Sequence, residues 1–356
     1  MFLDIEKAYD SIPWTKLWQI LKSLNCNTTL IRAIQNLYLD SITKIKIGGH
    51  LSSGFQVTKG LCQGCSLSPT LFKIYITKAL EHWKRKCKDM GVGIGEETVY
   101  SLQFADDQLI LAQDFEDLEY MSRKLLEEYT KWGLTINMEK SKYMAIEDQV
   151  QDLILEEGMG RFKHCENYKY LGVIIARDGK QDYEIKRRIT LGKSAIAALN
   201  SILWDKRITK KKKFRIFGTI VRNIATYGSE SWQLKFQTKS KLLAMEMDFW
   251  RRSALVSKRD KIRNSVIKTK MGVQNSILDY IQQKQLQWYG HVKRMNEERL
   301  PKKVLEWLPL ERLKRGRPAT TWIHGIKTTM RERRIEEEQW INREDWRDSL
   351  KLAFKS

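Results

Sequence analysis

Tyr100–Ala112 reads YSLQFADDQLILA, two apolar stretches broken by the adjacent acids Asp106 and Asp107. The pattern on either side predicts a tight hairpin carrying both carboxylates at its turn. An ionised acid on a short apolar strand loses hydration that only a cation or hydrogen-bond donors can replace. Asp4 has a similar setting, just after Phe2-Leu3, where a strand gives way to a loop. If the two strands lie side by side, three carboxylates meet at one sheet edge, and their repulsion calls for divalent metal. Oxygen-only ligands favour Mg2+ or Mn2+, and two such ions stabilise both the entering and the leaving oxygen of a phosphoryl transfer. The acids alone fit an ordinary hairpin turn as well.

Working outward, Trp14, Leu17, Trp18, Leu21 and Leu24 recur at helical spacing behind Ser11 and Pro13, a helix start. Asp10 is expected to cap that helix rather than bind metal. A second helix is expected over Thr29–Tyr38, then a hairpin from Ile42 through Gly48-Gly49 to Val57, and a third helix over Leu71–Lys86. Asp114 should cap a helix with the apolar face Leu118, Met121, Leu125 and Trp132, ending at Gly133. Strands are expected at Leu134–Ile136, Tyr143–Ile146 and Tyr168–Ile175. Past Asp182 the spacing is helical almost to the end.

The net charge of +21 is unevenly spread: residues 1–160 carry −4 and residues 161–356 carry +25. A basic half beside an acidic one suggests a polyanion-binding surface, because Lys and Arg that neutralise phosphates release counterions. A solvated or membrane-facing basic surface gives the same count. The densest run is Lys206–Arg215 (KRITKKKKFR), and most of the aromatics around it have the spacing of core residues. Five cysteines, unevenly spaced, suit reduced thiols, and the pair Cys62 and Cys65 lacks the partners of a zinc site. No apolar run reaches the roughly 18 residues of a membrane span, and Asp4 and Glu6 do not suit a signal peptide, so an intracellular soluble chain is expected.

Five blocks in order make the first half resemble the reverse transcriptase of non-LTR (LINE-like) retrotransposons. They are DIEKAYD at Asp4–Asp10, GLCQGCSLSP at Gly60–Pro69, FADD at Phe104–Asp107, GLTIN at Gly133–Asn137 with Lys140, and YKYLGV at Tyr168–Val173. The resemblance implies an α+β fold: a right-hand polymerase palm, an antiparallel sheet packed on helices, over residues 1–180. An all-helical thumb over 181–260 and a basic helical C-terminal region over 261–356 would follow. It implies that Asp4, Asp106 and Asp107 hold two Mg2+ or Mn2+ ions, with the Ile5 carbonyl completing one shell. Tyr9 would be a steric gate against the ribose 2′-OH, and Lys140 would protonate or steady the leaving pyrophosphate. Gln63 would contact the nucleotide or template, and Gly64 would permit close backbone approach. Tyr170, Leu171 and Gly172 would form the primer grip, and Lys210, Lys211, Lys212, Lys213 and Arg215 would hold nucleic-acid phosphates.

The implied partners are an RNA template, a DNA primer or nicked target and deoxynucleoside triphosphates, in the nucleus or in a cytoplasmic ribonucleoprotein, with no membrane. GHVKRM at Gly290–Met295 and KRGRP at Lys314–Pro318 are similar to the C-terminal region of such elements. Arg315 and Arg317 around Gly316 also look like an AT-hook core, which would suit a narrow A·T minor groove. A basic loop ending in Pro318, with Thr320 or Thr321 near the start of the next helix, reads the same residues without DNA. The first block begins at Asp4, so the fingers and endonuclease that the family places upstream would be missing. The expectation is a 5′-truncated copy or a gene-model fragment, acting as a polymerase, as an inactive nucleic-acid-binding relic or as a metal-dependent nuclease built on the same acids.

Overall fold

A computed structural model describes residues 1–146, 151–155, 158–307 and 321–352. The chain divides into two compact units, Met1–Leu171 and Gly172–Ser356. The first unit runs β1 (Phe2–Leu3), α1 (Trp14–Ser23), α2 (Thr28–Tyr38), β2 (Ile42–Thr43), β3 (Lys46–Ile47), β4 (His50–Leu51), β5 (Phe55–Gln56) and α3 (Ser68–Lys86). It continues with β6 (Val92–Ile94), β7 (Glu97–Val99), β8 (Ser101–Phe104), β9 (Asp107–Ile110), α4 (Phe115–Trp132), β10 (Lys142–Tyr143), β11 (Leu153–Leu155), β12 (Gly160–His164) and β13 (Asn167–Tyr170).

Six of these strands form one sheet in the order β11-β12-β10-β1-β9-β8. The fold is α+β as expected, with one departure: β10 and β12 pair in parallel, so the sheet is mixed rather than antiparallel throughout. The two-residue β1 lies inside the sheet because Phe2 and Leu3 are both buried, and it pairs with β9 on one side and β10 on the other. Leu17, Ile20 and Leu21 of α1, Phe72, Tyr75 and Trp83 of α3 and Met121, Leu125 and Tyr129 of α4 share one core with the sheet residues Leu3, Ile110, Tyr143 and Phe162. Trp83 Nε1 donates to the Met121 carbonyl at 2.8 Å, so burying that indole leaves no donor unmet and ties α3 to α4.

Helix ends follow the sequence where a cap is local. Asp114 accepts from the Asp117 amide at 2.8 Å, and Gly133 closes α4 at φ 73, a left-handed turn that suits glycine. The expected strand at Leu134–Ile136 is reduced to one bridge between Ile5 and Ile136. The hairpin of β6 and β7 and the strands β11 and β12 carried no clear alternation in sequence.

The second unit opens with β14 (Val173–Ala176) and then runs α5 (Asp182–Ala198), α6 (Asn200–Trp204), α7 (Lys210–Ile216), a π-helical turn at Phe217–Val221, α8 (Arg222–Ala225), α9 (Phe236–Ser253), α10 (Asn264–Met271), α11 (Ile277–Lys293), α12 (Leu300–Glu306), α13 (Trp322–Glu332) and α14 (Arg343–Leu352). It holds two apolar clusters. One joins Ile185, Phe217, Phe249 and Trp250 to Ile267, Met271, Ile277 and Ile281. The other gathers Leu286, Tyr289, Ile326, Met330, Trp346 and Leu350. Gly290 of the GHVKRM block lets Trp346 lie against α11, since a Cβ there would stand 2.3 Å from the indole nitrogen. Thr321 caps α13 by accepting from the His324 amide. Among the described residues no helix is long and apolar enough to cross a membrane.

Candidate active site

The β1–β9 register brings the acids together. Phe2 pairs with Leu109 and Leu3 with Gln108, so the next step sets Asp4 opposite Asp107, while Asp106 occupies the two-residue turn between β8 and β9. That turn places Ala105 at φ 53, an uncommon conformation for a residue with a Cβ. Partial desolvation, followed by the charges of Asp106 and Asp4, pushes the Asp107 carboxyl above the usual carboxylate range. Asp4 is half-buried, while Asp106 and Asp107 are exposed, so the apolar surroundings expected of all three acids enclose only Asp4 in part. Asp106 lies in the two-residue turn and Asp107 is the first residue of β9, at the same end of the hairpin.

Asp4 is held chiefly by its backbone. Its amide donates to the Oγ of Ser141 at 3.0 Å, and its carbonyl accepts from the Asn137 amide at 2.9 Å. Asn137 Oδ1 in turn accepts from the amides of Glu139 and Lys140, both at 3.1 Å, and so shapes the turn from which Lys140 extends. Lys140 Nζ stands 3.6 Å from Asp4 Oδ2 with its side chain 68% exposed. A surface pair of this kind adds only about 0–1 kcal/mol to stability, so folding alone does not account for its placement.

Asp4, Ile5, Tyr9, Gln63, Asp106 and Lys140 line one cleft of about 540 Å³. The Tyr9 ring stacks on Phe72 at 4.7 Å. Desolvation and then the Asp106 charge raise its phenol above the ordinary value, so the hydroxyl stays protonated. Gln63 Nε2 donates to Asp10 Oδ1 at 3.2 Å. That corrects the capping role expected of Asp10: Pro13 occupies the N-cap of α1, which has no side-chain cap, and Asp10 faces Gln63 instead. Gly64 has φ 85 and no chain atom within 4 Å of where a Cβ would stand, so backbone conformation rather than crowding favours glycine there.

Gly60 is the position that sequence reasoning passed over. At φ 97, a Cβ would lie 2.9 Å from the Asp10 carbonyl oxygen. Around it the Gly60 amide donates to Ile12 O, the Leu61 amide to Tyr9 O, and Trp14 Nε1 to Gly60 O. These bonds seam the GLCQGC block to the DIEKAYD loop. Ser141, immediately after Lys140, was also missed; its burial was the only available signal, and sequence does not display it.

The donor set suits hard divalent cations. Three carboxylates converge at one edge, two of them raising the proton affinity of Asp107, yet among the described residues no group of three His, Cys, Asp or Glu side chains closes around an ion. Mg2+ in nucleotide-handling sites is held in this open way, by one or two carboxylates with substrate phosphates and water supplying the remainder.

Beyond this cleft the expected residues separate. Tyr168 stacks on Phe2 at 4.1 Å, and Tyr170 lies 5.9 Å from the same ring. Leu171 adopts φ 46. Gly172, at φ 81 in the second unit, gives its carbonyl to Arg188, whose guanidinium covers Tyr227 and is paired with the buried Glu184. Lys210, Lys211, Lys212 and Arg215 are exposed. Lys213 is not: it is buried, its Nζ donates to the carbonyls of Leu203 and Ser253 at 2.7 and 3.0 Å, and desolvation lowers its pKa. It is a structural residue and leaves the set of phosphate contacts. Arg315 and Arg317 lie outside the described residues.

A family model described as reverse transcriptase (RNA-dependent DNA polymerase) matches residues 1–175. The chain is 25% identical to the Pol polyprotein of the type-2 retrotransposable element R2DM of Drosophila melanogaster over 50% of its own length and 18% of the relative's. It is also 25% identical to the RNA-directed DNA polymerase from the mobile element jockey of the same organism, over 49% of the chain and 19% of the relative. A transposon-derived protein of Caenorhabditis elegans, F52C9.6, aligns at 25% identity over 64% of the chain and 84% of its own length. The chain thus spans about a fifth of the R2 and jockey proteins.

Proposed function

Residues 1–175 belong to the reverse transcriptase family, and on that premise we propose that this chain extends a DNA primer on an RNA template from deoxynucleoside triphosphates. The observation that carries the reading is the register that sets Asp4 opposite Asp107 with Asp106 in the adjoining turn, beside Tyr9 and Lys140 on one cleft. Asp4, Asp106 and Asp107 would hold two Mg2+ or Mn2+ ions, with the Ile5 carbonyl beside them. Bound there, the ions offset charge on the entering 3′-oxygen and on the leaving pyrophosphate. Positioning supplies much of the rate in such a transfer, and the chain's own groups provide it.

Tyr9, braced on Phe72, occupies the place of a ribose 2′-OH and favours deoxynucleotides. Lys140, extended by the Asn137 turn, gives a proton or a positive charge to the departing pyrophosphate. Gln63, beside Asp10, contacts the nucleotide or template, and Gly64 lets the backbone approach it. Tyr170, Leu171 and Gly172 form the primer grip. Residues 181–260 act as a thumb, in which Lys210, Lys211, Lys212 and Arg215 meet phosphates without reading sequence, and residues 261–356 form a basic C-terminal region. The work is nuclear, on RNA and DNA together.

Primer extension on an RNA template with Mg2+ or Mn2+ tests the reading, using the full chain, its Asp106→Ala variant and a Tyr9→Ala variant. Extension that vanishes in the first variant and admits ribonucleotides in the second supports it. Salt-sensitive nucleic-acid binding with no extension would make the chain a binding protein instead.

A further inference from the structure

A cleft of about 1240 Å³ in the second unit is lined by none of the residues given a role above except Arg215. Its wall is the irregular part of the α7–α8 stretch, where the π-helical turn Phe217–Val221 interrupts regular winding, a feature that recurs at functional sites. The turn leads directly into Arg222, whose guanidinium lies 4.0 Å over the Tyr280 ring of α11. Gly218 makes room for it, since a Cβ there would stand 3.2 Å from an Arg222 Nη2.

Arg222 makes no ion pair among the described residues, and its Nε is buried without a hydrogen-bond partner. The acid in the cleft, Asp348, is already engaged by Lys351 at 3.4 Å. Arg215 and Arg222 therefore give the cavity an uncompensated positive charge. Amide side chains of Asn223, Gln274 and Gln283 share the lining with the stacked pair. Donors and acceptors beside a planar cationic platform, with the second positive charge of Arg215 in the lining, match an unpaired nucleotide: a base face to stack, base edges to hydrogen-bond, and a phosphate. A duplex keeps its bases stacked and its edges in the grooves, so it cannot present them to a concave site of this size.

We propose that this cleft binds one or two nucleotides of a single-stranded nucleic acid, with a base on the Arg222–Tyr280 platform and phosphate at Arg215. The inference rests on the reading of the chain as a nucleic-acid enzyme and adds to it a second site with a different ligand form.

Fluorescence anisotropy of the full chain with labelled six-nucleotide RNA, six-nucleotide DNA and an RNA–DNA primer–template tests it. Arg222→Gln and Tyr280→Ala should each weaken the single strands by about tenfold while leaving primer–template affinity and primer extension unchanged. Preference for the RNA oligomer or equal binding of both identifies the sugar that the cleft accepts. Equal losses on single strand and duplex, or no loss, overturn the proposal. A 4-thiouridine oligomer crosslinked to the unmutated chain should attach to peptides containing Arg222 or Tyr280, and attachment only elsewhere overturns it without relying on a variant's folding. Primer extension in the absence of single-strand binding sinks this inference alone; single-strand binding at the cleft without extension sinks the polymerase reading alone.

Discussion

The acidic cleft of the first unit and the basic cleft of the second are assembled by opposite means. In the first, backbone does most of the placing: a two-residue strand, a two-residue turn, a left-handed glycine and main-chain bonds to Asp4. In the second, side chains from helices as distant in sequence as Arg222 and Tyr280 make the surface. Backbone placement tolerates little, because a register step or a lost positive φ shifts every group at once. Side-chain placement degrades one contact at a time.

The largest effect expected from this contrast is at the turn. Asp106→Ala should lower primer extension by on the order of a thousandfold, several kcal/mol of lost charge stabilisation, with circular dichroism and nucleic-acid binding unchanged. Retained extension would show that the hairpin acids are ordinary turn residues.

A smaller but still large loss should follow Gly60→Ala, which alters none of Asp4, Asp106 and Asp107. The added Cβ meets the Asp10 carbonyl and must adopt a disfavoured φ, costing roughly 1–3 kcal/mol and displacing the Tyr9 loop. The melting temperature should fall and extension should drop more than tenfold; a variant as active and as stable as the parent would refute the seam.

In the basic unit, two neighbouring lysines should behave differently. Lys213→Met leaves two buried carbonyls without their donor and should cost roughly 1–3 kcal/mol of stability, with no change in the salt dependence of binding. Lys212→Ala should do the reverse, reducing the salt slope by about one with little change in melting. Urea unfolding together with binding between low and moderate salt separates the two, and identical behaviour would contradict the burial of Lys213.

The smallest effect concerns protons. Asp107 is raised by desolvation and by two negative neighbours, so as pH falls it takes up a proton above the range of an ordinary carboxylate. Asp4→Asn removes one of those charges and should lower the Asp107 midpoint, though not to the ordinary value, because desolvation remains. Carbon-13 carboxyl titration of the metal-free chain measures it; an unmoved midpoint would mean that the two acids do not sense each other.

The same contrast explains what sequence disclosed. Asp4, Asp106, Asp107 and Lys140 stand in contiguous words because a turn or strand end fixes groups only over a few residues, so their setting is spelled locally. The helix ends at Asp114 and Gly133 were legible for the same reason. Gly60 was not, because its constraint is a loop some fifty residues earlier, and glycine shows only that a side chain is missing. Lys213 misled by company: within KKKKFR nothing distinguishes the one lysine that turns inward. Arg222 and Tyr280 belong to no word, since nearly sixty residues separate them.

The seam at Gly60 has a bearing on how copies of a mobile element are judged. On the loss predicted for Gly60→Ala, a single nucleotide change in its codon would cripple a copy whose acidic spelling is still perfect. A census that scores survivors by their aspartates alone therefore counts dead copies among the living, and the silent glycine belongs on the checklist beside them.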